Sequence, residues 1–82
     1  MDVQFVVSGR PHASRVLKTG VLGRIVARVL NECGAVGQPP EAWELRDYEG
    51  RLFDHFDTVG EAGISDGQTL FLNPRAGVGG NA

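Results

Sequence analysis

The chain has a single cysteine, Cys33, so it cannot close an intramolecular disulfide and must be held together by packing. Lysine is equally scarce, with Lys18 the only one. No run of lysine or arginine occurs, and the formal net charge is −2, so the basic footprint of a nucleic-acid binder is missing. No apolar stretch approaches the roughly 20 residues that span a bilayer, which argues against membrane insertion. The start, Met1-Asp2-Val3-Gln4-Phe5, enters strand-like alternation without a basic region followed by an apolar one, so a secretory signal is not expected and a reducing cytoplasm is. His12 and His55 lack the spacing of metal ligands, and no metal site is expected.

What remains is an ordinary globular composition. Hydrophobic residues make up 41% and charged residues 22%, too apolar a balance for a disordered chain. At 82 residues there is room for one domain with one modest core, and a catalytic cleft is hard to build from so little. No enzymatic activity is expected.

Alternation over residues 2–8 puts Val3, Phe5 and Val7 on one face of a first strand. Gly9-Arg10-Pro11 breaks the run, and a second strand is expected at about Ala13 to Lys18, folded back as a hairpin. Thr19 offers a hydroxyl cap to a helix from Val21 to about Cys33, on which Leu22, Ile25, Val26, Val29 and Cys33 form one apolar stripe. Gly34 suits the end of that helix. A third strand is expected from Ala42 to Asp47 with Trp43 and Leu45 on one side. Glu49-Gly50 then turns the chain into a further short strand at Leu52-Phe53. After an irregular stretch carrying Val59 and Ile64, Ser65-Asp66-Gly67 turns into a last strand, Gln68 to Asn73, with Leu70 and Leu72 inward and Phe71 outward. The order β-β-α-β-β-β suits an α+β fold in two layers, one amphipathic helix across a mixed sheet of four to five strands. Residues 1–73 are expected to fold, and residues 74–82 to trail as a flexible tail that ends Gly77-Val78-Gly79-Gly80-Asn81-Ala82.

The element order, the string Gly63-Ile64-Ser65-Asp66-Gly67-Gln68-Thr69-Leu70-Phe71-Leu72 and an Arg75-bearing tail that reaches Gly79-Gly80 together resemble ubiquitin and its β-grasp relatives. In detail they are most similar to the small bacterial ubiquitin-like modifiers found with their own activating enzyme and peptidase. The resemblance implies that a JAB-type or other deubiquitinase-like peptidase cuts the Gly80-Asn81 bond, removing Asn81 and Ala82 from a precursor. It further implies that an E1-like activating enzyme, using ATP, adenylates the Gly80 carboxylate and takes it as a thioester, with an E2-like enzyme and target proteins downstream. The protein itself would hold no cofactor. Only side-chain-free residues let backbone enter such a channel, a demand that Gly79 and Gly80 meet. Arg75, Gly77 and Val78 fall where the activating enzyme reads the tail, and Gly77 and Val78 depart from the bulkier or basic residues of eukaryotic ubiquitin. The outward positions that match the family's binding patch are Val6, Arg46 and Phe71, with an arginine where the family has an aliphatic residue. Phe71 is either an interface anchor or a cover for neighbouring strands. Some bacterial relatives suggest antiviral defence.

Two other functions fit the same tail: a sulfur carrier whose terminal glycine becomes a thiocarboxylate, and a non-conjugated interaction domain. Carriers usually end at the second glycine, so the residues after Gly80 favour the modifier. Other polar residues read as ordinary structure. Lys18 reads first as a solvated charge, and otherwise as the one internal point for chain growth. Cys33 reads as a buried small residue rather than a nucleophile. Asp47, Glu49, Asp54 and Asp57 read as turn and edge residues.

Overall fold

The computed structural model describes residues 1–35 and 37–75. Strand β1 spans Asp2–Val7, β2 Arg10–Arg15, β3 Trp43–Arg46 and β4 Thr69–Pro74, and helix α1 spans Leu22–Glu32. A 3-10 turn, Pro40–Ala42, leads into β3. The sheet order is β2-β1-β4-β3, with β1 and β4 parallel and the outer pairs antiparallel, so the sheet is mixed. One helix packed on four strands is the expected α+β arrangement.

Hairpin β1–β2 turns at Ser8 and Gly9, both at positive φ (49° and 86°), the conformation of a two-residue turn that matches strand twist. Strand β2 therefore begins at Arg10, three residues earlier than its expected start at Ala13, and ends at Arg15 rather than Lys18. Proline is tolerated there for a geometric reason. Met1 and Val16 exchange both backbone hydrogen bonds, so the pairs alternate, and Pro11, opposite Val6, occupies a non-hydrogen-bonded position on an edge strand.

The expected strand at Leu52-Phe53 shrinks to an isolated bridge between Arg46 and Leu52, with the Phe53 amide donating to the Leu45 carbonyl at 2.9 Å. Two turns explain the shortening. The Asp47 carboxylate accepts from the amides of Glu49 and Arg51, both at 2.9 Å, and the Asp54 carboxylate accepts from Phe56 at 2.9 Å, bending the chain away from β3. These contacts bear out the turn role expected of Asp47 and Asp54.

Leu22, Ile25, Val26, Val29 and Leu30 form the buried face of α1. They meet Val3, Phe5 and Val7 from β1, Leu45 from β3 and Leu70 and Leu72 from β4 in one core, completed by Trp43, Phe53, Val59 and Ile64. Cys33 corrects its expected place on the stripe. It is the helix C-cap and exposed, because α1 ends at Glu32 and the chain turns at Gly34 (φ 75°), so Leu30 fills the core instead. Thr19 does not cap the helix either: the N-cap is Val21 and no side chain caps it. The free amides of Leu22 and Gly23 donate instead to the carbonyls of Asp57 (2.9 Å) and His55 (2.8 Å), so a distant loop performs the capping.

Candidate functional site

The outer face of the sheet brings together three residues far apart in sequence. Phe71 on β4 pairs with Val6 on β1 and with Arg46 on β3, so Val6, Phe71 and Arg46 form one row across the strands. Alternation places them on the face opposite the buried Leu45, Leu70 and Leu72. Arg46 does not stand free of that face. Its Nη1 donates to the Gly50 carbonyl at 2.7 Å and its Nε to Glu44 Oε1 at 3.2 Å, which holds the guanidinium along β3 and its turn. Tyr48 supplies what sequence reading missed: its ring lies 6.4 Å from that of Phe71, and it is 85% exposed. An aromatic in a polar turn was the available signal. The turn's geometry is what swings it onto the sheet.

A second cluster lies where β4 ends. The Arg75 amide donates to the Ala42 carbonyl at 2.8 Å and its Nε to the Glu41 carbonyl at 2.9 Å, fastening the chain after β4 to the 3-10 turn. Pro74, paired with Trp43, and Arg75 therefore belong to the folded body and not to the flexible segment expected from residue 74. Arg75 thereby lines a groove with Glu41, Leu52, Phe53, His55 and Phe56. Phe56 is 89% exposed and Leu52 49% exposed. His55 and Phe56 also line an adjoining depression bounded by Val21, Ala27 and Pro40, so they form a ridge between two hollows. The ridge is held from below by the amides at the start of α1, and a reciprocal pair closes its far side: Thr58 donates to Glu61 Oε1 at 2.9 Å, and Glu61 to Thr58 Oγ1 at 3.1 Å.

Burial, and after it the Arg75 guanidinium, lowers the pKa of His55 below its ordinary 6.5, against an opposing pull from Asp54 and Glu41. Its Nε2 is buried without a hydrogen-bond partner among the described residues, as is Trp43 Nε1. Among those residues no three His, Cys, Asp or Glu side chains converge as metal ligands, and no helix is long and apolar enough to cross a membrane. Gly77, Val78, Gly79, Gly80 and Asn81, named from the sequence as tail-reading and conjugation residues, lie outside the described residues.

The helix laid on a β2-β1-β4-β3 sheet defines a ubiquitin-like β-grasp protein. The fold is similar to that of Caldiarchaeum subterraneum ubiquitin, with a TM-score of 0.76, 25% identity and coverage of 98% of each chain. The chain belongs to the family described as Protein of Unknown function (DUF2604), whose model matches residues 1–80. It is also 32% identical over 80 residues to the uncharacterized protein y4jI of Sinorhizobium fredii strain NBRC 101917 / NGR234, covering 98% of this chain and 62% of that protein. The chain thus spans less than two thirds of that relative's length.

Proposed function

We propose that this protein is a bacterial ubiquitin-like modifier, made as a precursor, trimmed after Gly80 and joined through the Gly80 carboxylate to amines on target proteins. The observation that carries the reading is a ubiquitin-like body whose last strand leads, through Arg75, to a glycine pair in the sequence. A peptidase of the JAB type hydrolyses the Gly80-Asn81 amide, with water supplying the hydroxyl to the new carboxylate and a proton to the departing amine. An E1-like enzyme then activates that carboxylate with ATP, and an E2-like enzyme passes it on. In this reading Arg75, Gly77 and Val78 are read by the activating enzyme, and the row of Val6, Phe71 and Arg46, widened by Tyr48, receives partners on the sheet. Because the Arg46 head is tied to Glu44 and Gly50, that surface is led by Phe71 and Tyr48 rather than by a free cation.

Intact-mass analysis tests the reading. Incubation with a JAB-type peptidase removes Asn81 and Ala82, and the trimmed chain then forms a thioester with an E1-like enzyme and ATP that Gly80→Ala weakens severely. Absence of both trimming and thioester would overturn the proposal, and a thiocarboxylate mass would assign the chain to sulfur transfer instead.

A further inference from the structure

The tail gives a peptidase little to read. Between Gly77 and Ala82 the only side chains beyond hydrogen are those of Val78, Asn81 and Ala82, and several adjacent bonds are flanked by glycine. An enzyme that cuts only between residues 80 and 81 therefore gains from a second reference point to choose among four successive bonds that each have glycine on at least one side. The body provides one at the root of the tail. Backbone and side-chain bonds pin Arg75 to Ala42 and Glu41, so position 75 is a defined origin. From there the chain reaches Gly80 over at most about 18 Å. Whatever protein holds the 80–81 bond in its active site lies within that distance of the groove on which Arg75 sits.

That groove carries the exposed apolar side chains Leu52 and Phe56, the second on a ridge fixed to the start of α1. The amides of Leu22 and Gly23 hold the loop carbonyls, and the Asp54 carboxylate holds the Phe56 amide. An exposed aromatic on a rigid support loses little freedom when a partner covers it, which makes it an efficient anchor.

We propose that the groove of Leu52, His55, Phe56 and Arg75 is the docking surface for the tail-trimming peptidase, and that the distance from this groove, rather than the glycine pair alone, sets which bond is cut. The occupant is a peptidase face with an apolar pocket for Phe56 and oxygen acceptors for Arg75. The proposal rests on the modifier reading above and adds to it where the enzyme sits and how it measures.

The test uses the full chain and a JAB-type peptidase that trims it, with steady-state kinetics and product masses as readouts. Phe56→Ser, at a position too exposed to threaten folding, raises KM about tenfold and leaves kcat nearly unchanged, as expected when binding common to ground and transition states is removed. Leu17→Ser, at an exposed leucine that does not line the groove, leaves both constants unchanged. Insertion of one glycine after Ala76 moves the cut one residue toward the body, so the product ends at Gly79. A Phe56→Ser chain trimmed with wild-type constants would overturn the docking surface. An insertion product still ending at Gly80 would overturn the ruler. If no JAB-type peptidase trims the wild-type chain while Gly80→Ala leaves its biological activity unchanged, the modifier reading itself fails and this proposal falls with it.

Discussion

Gly23 donates its amide to the His55 carbonyl at 2.8 Å, and a Cβ at position 23 would stand 3.1 Å from that same oxygen. The two residues join the first turn of α1 to the loop that carries the Phe56 ridge. Replacing Gly by Ala inside an exposed helix ordinarily stabilises by up to about 1 kcal/mol. Here the crowded oxygen belongs to backbone held on both sides, by the Asp54 turn and by the bond from Leu22 to Asp57, so it cannot yield cheaply. Gly23→Ala is therefore expected to reverse the usual sign and destabilise by about 1 kcal/mol. Urea unfolding checks this, and a gain in midpoint would refute it.

His55 makes stability depend on pH in one direction. Well above 6.5 the imidazole is neutral in both folded and unfolded chains, and its contribution is fully present. As pH falls below 6.5 the unfolded chain takes up the proton first, because burial and Arg75 hold the folded pKa lower. Stability is then lost until the pH has passed through the folded pKa. His55→Gln should flatten this part of a plot of urea midpoint against pH. An unchanged slope would show that other groups cause it.

Side chains from α1 reach across to β2. Arg28 Nη2 donates to Ser14 Oγ at 2.7 Å and to the Arg15 carbonyl at 2.8 Å, while His12 Nε2 and Glu32 Oε1 lie 2.8 Å apart. These groups are largely exposed, so Arg28→Met should cost only about 0.5–1 kcal/mol. Its larger effect should be local, with faster hydrogen exchange along Arg10–Arg15 and little change in the β1–β4 pair. Uniform acceleration across all four strands would contradict this account.

Cys33 is exposed at the C-cap of α1. Its thiol should react with a disulfide reagent in the native chain at nearly the rate seen in urea. Protection by a factor of about 100 or more would mean that opening the fold must precede reaction, and would place the thiol in the core.

Leu72→Ala removes a side chain that is fully buried on β4, one of the two inner strands, where the sheet and helix enclose it. A loss of about 2–5 kcal/mol is expected, a large fraction of the stability of so small a domain. Thermal and urea unfolding measure it. A loss below about 1 kcal/mol would show that the core collapses around the gap.

The parts of the fold readable in advance were those written as periodicity. Trp43 with Leu45, Leu70 with Leu72, and the stripe of Leu22, Ile25, Val26 and Val29 repeat at the spacings of strand and helix, and all are buried. The misses share a different cause. Strand β2 starts early because of a turn conformation at Ser8-Gly9, and Leu52-Phe53 fails to extend because Asp54 bends the chain. The helix cap comes from residues more than thirty positions away. None of these leaves a repeating pattern, since each depends on one hydrogen bond or one dihedral angle.

Alternating and helical spacing of apolar residues, with one cysteine and no run of lysine or arginine, sufficed to specify a two-layer α+β domain, because burial of one face per element leaves a short chain few other arrangements. The chain folded in three dimensions decided which distant residues became neighbours: Val6, Phe71 and Arg46 in one row, and Arg75 beside Leu52 and Phe56 just after β4. Strand register and long-range backbone bonds make those meetings. They are properties of pairs of segments, and no single segment carries them.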